Sequence, residues 1–153
     1  MEQRIKVFEK GQQAMGVMYG FGKYLSKSPL EKSLLHLVYY RVSQLNQCAF
    51  CLDMHSKDLL AEGEDVQRLL VIDAWREAPF YSQRERAALA WAESLTTING
   101  GLVADTIYNE AKAQFSEQEL IDLTLAVIAI NGYNRVNIAF GAEVGTYQVG
   151  QFN

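Results

Sequence analysis

Apolar residues recur every three or four positions along most of this chain, the period of a helix with one buried face. Ser-x-x-Glu sequences punctuate that pattern at Ser28-Pro29-Leu30-Glu31, Ser82-Gln83-Arg84-Glu85 and Ser116-Glu117-Gln118-Glu119. In such a capping box the serine oxygen accepts an orphan backbone N–H of the first turn and the glutamate reaches back to another. Pro29 would fill the first helical position, where its missing N–H costs nothing. Each box opens an apolar-periodic run, so the expected fold is all-α.

About seven helices are expected from these marks. The first runs from Arg4 to Tyr24, weakened by Gly11, Gly16, Gly20 and Gly22, and the second from Pro29 to about Leu45. A third begins near Cys48 and stops at Gly63, a natural C-terminal glycine. Shorter ones follow over Asp65–Ala74, Ser82–Leu95 and Val103–Ala113. The last starts at Glu117 and is apolar nearly all round (Leu120, Leu123, Leu125, Val127, Ile128, Ile130), which places it in a core or an interface. Ala142–Val149 is the best strand candidate, but it is too short and glycine-bounded to found a sheet.

The length of 153 residues fits a single domain spanning 1–153, with 49% apolar and 21% charged residues giving a globular balance. A chain of this size buries enough surface to need no disulfide or metal staple. The 14 basic and 18 acidic residues leave a net charge of −4, which argues against nucleic-acid and anionic-membrane partners. The longest uncharged apolar stretch, Leu123 to Asn134, falls short of the roughly 20 residues a bilayer span needs. The amino terminus alternates charges (Glu2, Arg4, Lys6, Glu9, Lys10) without a signal-peptide core, so the expected location is cytoplasmic.

The chemistry concentrates in Cys48-Ala49-Phe50-Cys51-Leu52-Asp53-Met54-His55, which holds both cysteines and one of the two histidines. In a helix Cys48, Cys51 and His55 line one stripe, and Cα atoms three apart lie roughly 5 Å from each other, close enough for a cystine. As a staple that bond would contribute only about 2 kcal/mol, because its ring is so short. In a cytosolic chain the pair is a redox or metal candidate first. Redox use needs a thiolate, and lowering a thiol pKa from about 8.5 to about 7 takes about 2 kcal/mol. A helix N-terminus and a nearby imidazolium supply that amount. The competing metal reading is a zinc site of His36, Cys48, Cys51 and His55, two sulfurs and two nitrogens.

The run Arg41 to His55 resembles the AhpD-like alkylhydroperoxidases of the carboxymuconolactone decarboxylase superfamily. The resemblance continues in Ala74-Trp75-Arg76-Glu77-Ala78-Pro79-Phe80-Tyr81, Glu85 to Glu93 and Ile130-Asn131-Gly132-Tyr133-Asn134-Arg135, and covers roughly Pro29 to Phe140. It implies a helical bundle, a homotrimer or homohexamer, and thiol-dependent reduction of hydroperoxides without a bound cofactor. The external reductant it implies is a lipoyl- or thioredoxin-type dithiol. By position, Cys51 corresponds to the peroxidatic cysteine, Cys48 to the resolving one nearer solvent, and His55 to the proton relay. The family's usual relay glutamate, twelve residues before the first cysteine, is here His36. The alternative to turnover is a redox-responsive or structural helical oligomer.

Other polar and aromatic residues read more simply. Trp75, Trp91, Phe80 and Tyr81 are expected as packing anchors, and Glu85 and Glu93 as capping or solvated charges. Asn131, Asn134 and Arg135 are expected to hydrogen-bond or touch a subunit. Tyr39 and Tyr40 are placed in an aromatic core or on the wall of a thiol pocket.

Overall fold

A computed structural model describes residues 3–152, and Glu2 of the charged amino-terminal run lies outside them. The helices are α1 (Val7–Lys10), α2 (Gln12–Leu25), α3 (Lys32–Leu45), α4 (Ala49–Ala61), α5 (Val66–Val71), α6 (Gln83–Thr97), α7 (Asp105–Gln114) and α8 (Glu117–Phe140). Two 3₁₀ turns, Ile72–Ala74 and Asn99–Gly101, complete the regular structure, and no strand occurs among the described residues. None of these helices is long and apolar enough to cross a membrane.

Two expected helix starts change. The first helix is broken at Gly11, where the backbone (φ −106°, ψ 28°) leaves the helical region between α1 and α2. A Cβ there would stand 2.9 Å from the Val7 carbonyl oxygen, so the turn needs glycine. The Ser28 box does not form either; α3 starts at Lys32 with Glu31 as its N-cap. The Ser28 hydroxyl instead donates to Asp122 Oδ2 at 2.6 Å, and Glu31 pairs with Arg84. A bond to an ionised carboxylate is roughly twice as strong as a neutral cap, so the long-range partner wins. The boxes at Ser82 and Ser116 form in both directions.

Helix α8 runs through the bundle against α2, α3, α4, α6 and α7, which accounts for most of its apolar residues, while Ile121, Ile128 and Ile138 remain exposed. Helix α3 divides two core clusters. Leu34, Val38 and Val42 join Leu123 and Val127 in one, while Leu37 joins Leu59, Ile72 and Leu89 in the other. Each such fully buried side chain is worth about 1.5–3 kcal/mol. Glu93, expected as a capping or solvated charge, is instead half-buried beside α3, where Arg41 Nε (2.7 Å), Arg76 Nη1 (2.7 Å) and Trp75 Nε1 (2.9 Å) donate to it. Burial alone would raise its carboxyl, but those donors outweigh it and hold the pKa below the usual carboxylate value.

After α8 the chain turns at Gly141, in the left-handed region at φ 67°, and runs back over α4. Tyr147 is buried there, its hydroxyl 2.8 Å from Asp58 Oδ1, and the Gly145 N–H donates to Asp53 Oδ2 at 3.1 Å. The segment is therefore a strap held by α4 carboxylates.

Candidate functional site

The link between α3 and α4 is a single tight turn. The Cys48 N–H donates to the Ser43 carbonyl and the Gln47 N–H to the Gln44 carbonyl, both at 3.0 Å, which is the Schellman pattern that ends a helix. Gln47 takes the left-handed conformation the motif requires, at φ 55°. Cys48 leaves the turn in an extended conformation and is at once the N-cap of α4, so Cys51 falls in that helix's first turn. Asn46 Nδ2 donates to both Asn131 Oδ1 and Asn134 Oδ1 at 2.9 Å, and Asn134 Nδ2 reaches Ser43 Oγ at 3.1 Å. These bonds fasten the turn to α8, so the asparagines have the hydrogen-bonding task expected of them.

Cys48 and Cys51 are joined as a disulfide with their Cα atoms 5.3 Å apart, as the helical spacing anticipates. Both are buried, Cys48 at 1% exposure and Cys51 at 0%, so the expectation that Cys48 lies nearer solvent does not hold. The reason is the Schellman turn, which tucks Cys48 against the end of α3. Cys51, not Cys48, lines the neighbouring cavity.

That cavity, of about 390 Å³, lies between α2, α4 and α8 and is lined by aromatic side chains from several elements, Tyr39, Phe50 and Tyr133 among them. Its polar lining is Lys23 from α2 together with Cys51, His55 and Asn137. Asn137 Nδ2 donates to Cys51 Sγ at 3.4 Å. His55 lies one turn beyond Cys51, 7% exposed, with its ring centroid 5.5 Å from that of Tyr39. Burial, with the nearby His36 adding to it, pushes the imidazole pKa down to about 3, so the ring is neutral at pH 7. Burial likewise pushes the Tyr39 phenol up to about 12, which keeps it protonated.

His36 does not join the sulfurs directly. It sits on the far side of Tyr39, with ring centroids 6.2 Å apart, and its Nδ1 lies 3.0 Å from Glu62 Oε2, off the line of a hydrogen bond. Burial would raise the Glu62 carboxyl, but Lys32 and His36 prevail and lower it. Among the described residues no group of three or more His, Cys, Asp or Glu side chains comes together as metal ligands, so the zinc set of His36, Cys48, Cys51 and His55 is not assembled. The carboxylate partner has drawn His36 away from it.

The residue missed from sequence is Asn137. Its signal was present, since Asn131, Asn134 and Asn137 repeat at a spacing of three through an otherwise apolar helix. Buried amides in such a setting need partners. Phe8 and Phe152, which also line the cavity, carried no local signal at all.

Against known proteins, a sequence profile of the carboxymuconolactone decarboxylase family matches residues 12–94. The uncharacterized protein YdfG of Bacillus subtilis is 38% identical over 141 residues, covering 92% of this chain and 96% of that protein. A crystal structure of a protein of unknown function from Agrobacterium tumefaciens, suggested to be the antioxidant defence protein AhpD, superposes with a TM-score of 0.90 at 32% identity, over 95% of this chain and 100% of that one. The debrominase Bmp8 shares the fold at 18% identity, with a TM-score of 0.79 over 90% of this chain and 74% of its own.

Proposed function

Because the chain belongs to the carboxymuconolactone decarboxylase family, we propose that its cysteine pair is a redox centre that reduces hydroperoxides at the expense of an external dithiol. The observation that carries this reading is the Cys48–Cys51 bond at the start of α4, with Cys51 and His55 facing one apolar cavity. Two sulfurs that close a bond across one helical turn give a nucleophile and its resolving partner without further rearrangement.

In the reduced protein His55 takes the Cys51 proton, and the thiolate attacks the terminal oxygen of the hydroperoxide. A sulfur–oxygen bond forms as the oxygen–oxygen bond breaks; sulfur loses two electrons to the peroxide, and the departing alkoxide takes the proton from His55. His55 is neutral in the disulfide form, and an anionic sulfur beside it raises its basicity when the bond is reduced. Cys48 then condenses with the sulfenic acid, releasing water and restoring the disulfide. The external dithiol enters at Cys51, the sulfur facing the cavity, and Cys48 leaves as a thiolate at the α4 N-cap, where the free N–H groups of the first turn favour an anion. A lipoyl- or thioredoxin-type donor fits this exchange, and the expected trimer or hexamer belongs to the same reading.

Steady-state consumption of an organic hydroperoxide with dithiothreitol or dihydrolipoamide tests it. Cys51→Ser is expected to abolish turnover, and Cys48→Ser, reduced and then freed of dithiol, to consume one equivalent per chain and stop, since added dithiol would itself reduce the sulfenic acid. Steady-state rates equal to wild type in both variants would sink the cycle. One equivalent consumed by the wild type, with no turnover, would instead favour a redox-responsive oligomer.

A further inference from the structure

The cavity beside Cys51 has two chemically different sides. Helix α4 brings the sulfur and the His55 imidazole to it, and helix α2 brings Tyr19, Gly22 and Lys23. Tyr19 and Lys23 are four residues apart, so they share one face of α2. Gly22 leaves that side open, since a Cβ there would meet no atom within 4 Å. Between the two sides the lining is mostly apolar, with Phe8, Leu25, Phe50, Met54 and Phe152 among it.

Lys23 is the one ionised side chain of this lining among the described residues, because His55 is neutral and no Asp or Glu takes part. Helix α2, Gln12–Leu25, contains no acidic residue to pair with it. Its neighbours three and four positions along, Tyr19, Gly20, Ser26 and Lys27, offer no carboxylate either. Lys23 is exposed, and a lysine at the rim of an apolar surface lays its stem along that surface and keeps its ammonium at the wet edge. The protein as a whole carries a charge of −4, so a preference for an anion has to come from this side chain rather than from the overall field.

Two phenols line the same part of the cavity. Tyr19 on α2 and Tyr133 on α8 are close enough that Tyr19 adds to burial in raising the Tyr133 phenol pKa. Tyr133 is thus a hydroxyl at neutral pH and able to donate. An ammonium and phenol hydroxyls are donors that a carboxylate accepts from, and the apolar lining suits a hydrocarbon body.

We propose that the cavity seats an apolar ligand bearing a carboxylate, its anionic end held by Lys23 at the rim and its opposite end directed toward Cys51. This rests on the redox reading above and names the substrate class for it: a hydroperoxide of an organic acid, with peroxide and carboxylate at opposite ends. The carboxylate takes no part in the electron transfer. It decides which end of the molecule enters, because the charged end stays at the wet rim and the peroxide end goes in. A lysine in the last turn of a helix also answers the negative end of the helix dipole. That role would show in the melting temperature of a Lys23 variant and leave the choice of ligand unchanged.

Binding is tested on the disulfide form, without turnover. The probes are para-isopropylbenzoate and para-isopropylbenzamide, the same body with and without the charge, titrated by calorimetry at low ionic strength, where an exposed charge is least screened. Wild type is expected to bind the benzoate about tenfold more tightly than the amide, Lys23→Arg to keep that preference and Lys23→Gln to lose it. Equal affinities in the wild type, a preference that survives Lys23→Gln, or no binding of either probe overturns the assignment. Because Lys23 is exposed, both variants are expected to fold. Turnover is scored separately, with the para-carboxylate and para-carboxamide of cumene hydroperoxide given to the reduced protein with dithiothreitol. A lower KM for the carboxylate, lost in Lys23→Gln, ties the seat to the reaction. Equal KM values leave the peroxidase reading standing and overturn the seat as a substrate site. A wild type that prefers the benzoate yet consumes neither hydroperoxide keeps the seat and fails the peroxidase reading.

Discussion

A buried imidazole with a pKa near 3 makes His55 an acid-sensitive point in the fold. In the unfolded chain the same ring titrates near 6.5, so below that pH the unfolded state binds a proton that the folded state refuses. The unfolded state thus binds more protons between about pH 6.5 and 3, and stability must fall as pH falls through that window, by up to about 1.4 kcal/mol per unit. From pH 6.5 to 4.5 this amounts to about 2 kcal/mol from one residue. Glu31, Glu62, Glu93 and Glu119 all have lowered pKa values, and their contribution is lost only below the ordinary carboxylate value of 4.5. The upper part of the window therefore isolates histidine. Urea melts at pH 6.5, 5.5 and 4.5 should show this slope in the wild type and a flatter one in His55→Gln. Parallel slopes would mean that His55 is protonated in the folded state, and with it that the neutral proton acceptor of the proposed cycle is wrongly drawn.

Among the elements, the α3–α4 turn shows what could and could not be read from sequence. The helical period, the two boxes that form and the stop at Gly63 are local signals, so most helices fall close to where the pattern puts them. So does the cystine, because helix geometry alone brings Cys48 and Cys51 together. Ser28 and Glu93 failed for one reason: partners far along the chain, Asp122 for one and Arg41 and Arg76 for the other, outweighed the local preference. Burial of Cys48 was equally illegible, since it depends on Gln47 taking the left-handed conformation, which glycine or asparagine normally signals. That position yields a prediction about the element itself. An L-residue in the left-handed region costs about 1–2 kcal/mol, and the Gln47 side chain is exposed, with little packing to lose. Gln47→Gly should stabilise the protein by about 0.5–1 kcal/mol, and Gln47→Val, β-branched, should destabilise it by about 1 kcal/mol or more. Thermal melts of the two variants read the sign directly. Loss of stability in Gln47→Gly would show that the turn is held by the side chain rather than tolerated despite it.

At the scale of the whole molecule, the sulfurs sit in the interior while the cavity that reaches Cys51 is finished by the two ends of the chain. Phe8 and Phe152 both line it, with ring centroids 6.0 Å apart, and both lie outside the 12–94 segment that matches the family profile. The carboxyl end is strapped to α4 through Tyr147 and Asp58, and the amino end is pinned by the Arg4 N–H on the Phe140 carbonyl at 2.9 Å. Phe8 sits on α1, a four-residue helix with no buried residue, and Phe152 is 55% exposed, so this wall has few buried contacts to lose when it moves. With both cysteines buried, a dithiol that enters from this side meets these two rings before Cys51. The double variant Phe8→Ala/Phe152→Ala removes two rings from the wall and, because Phe152 is 55% exposed, disturbs the core little. Its disulfide should be reduced by dithiothreitol several-fold faster than that of the wild type, as followed by the appearance of alkylatable thiols, with α-helical content unchanged. A rate equal to that of the wild type would move the entry route to the other side of the bond. Opening of the α3–α4 turn around Cys48 would then be the step that exposes sulfur, and Gln47→Gly, by stabilising that turn, would slow reduction.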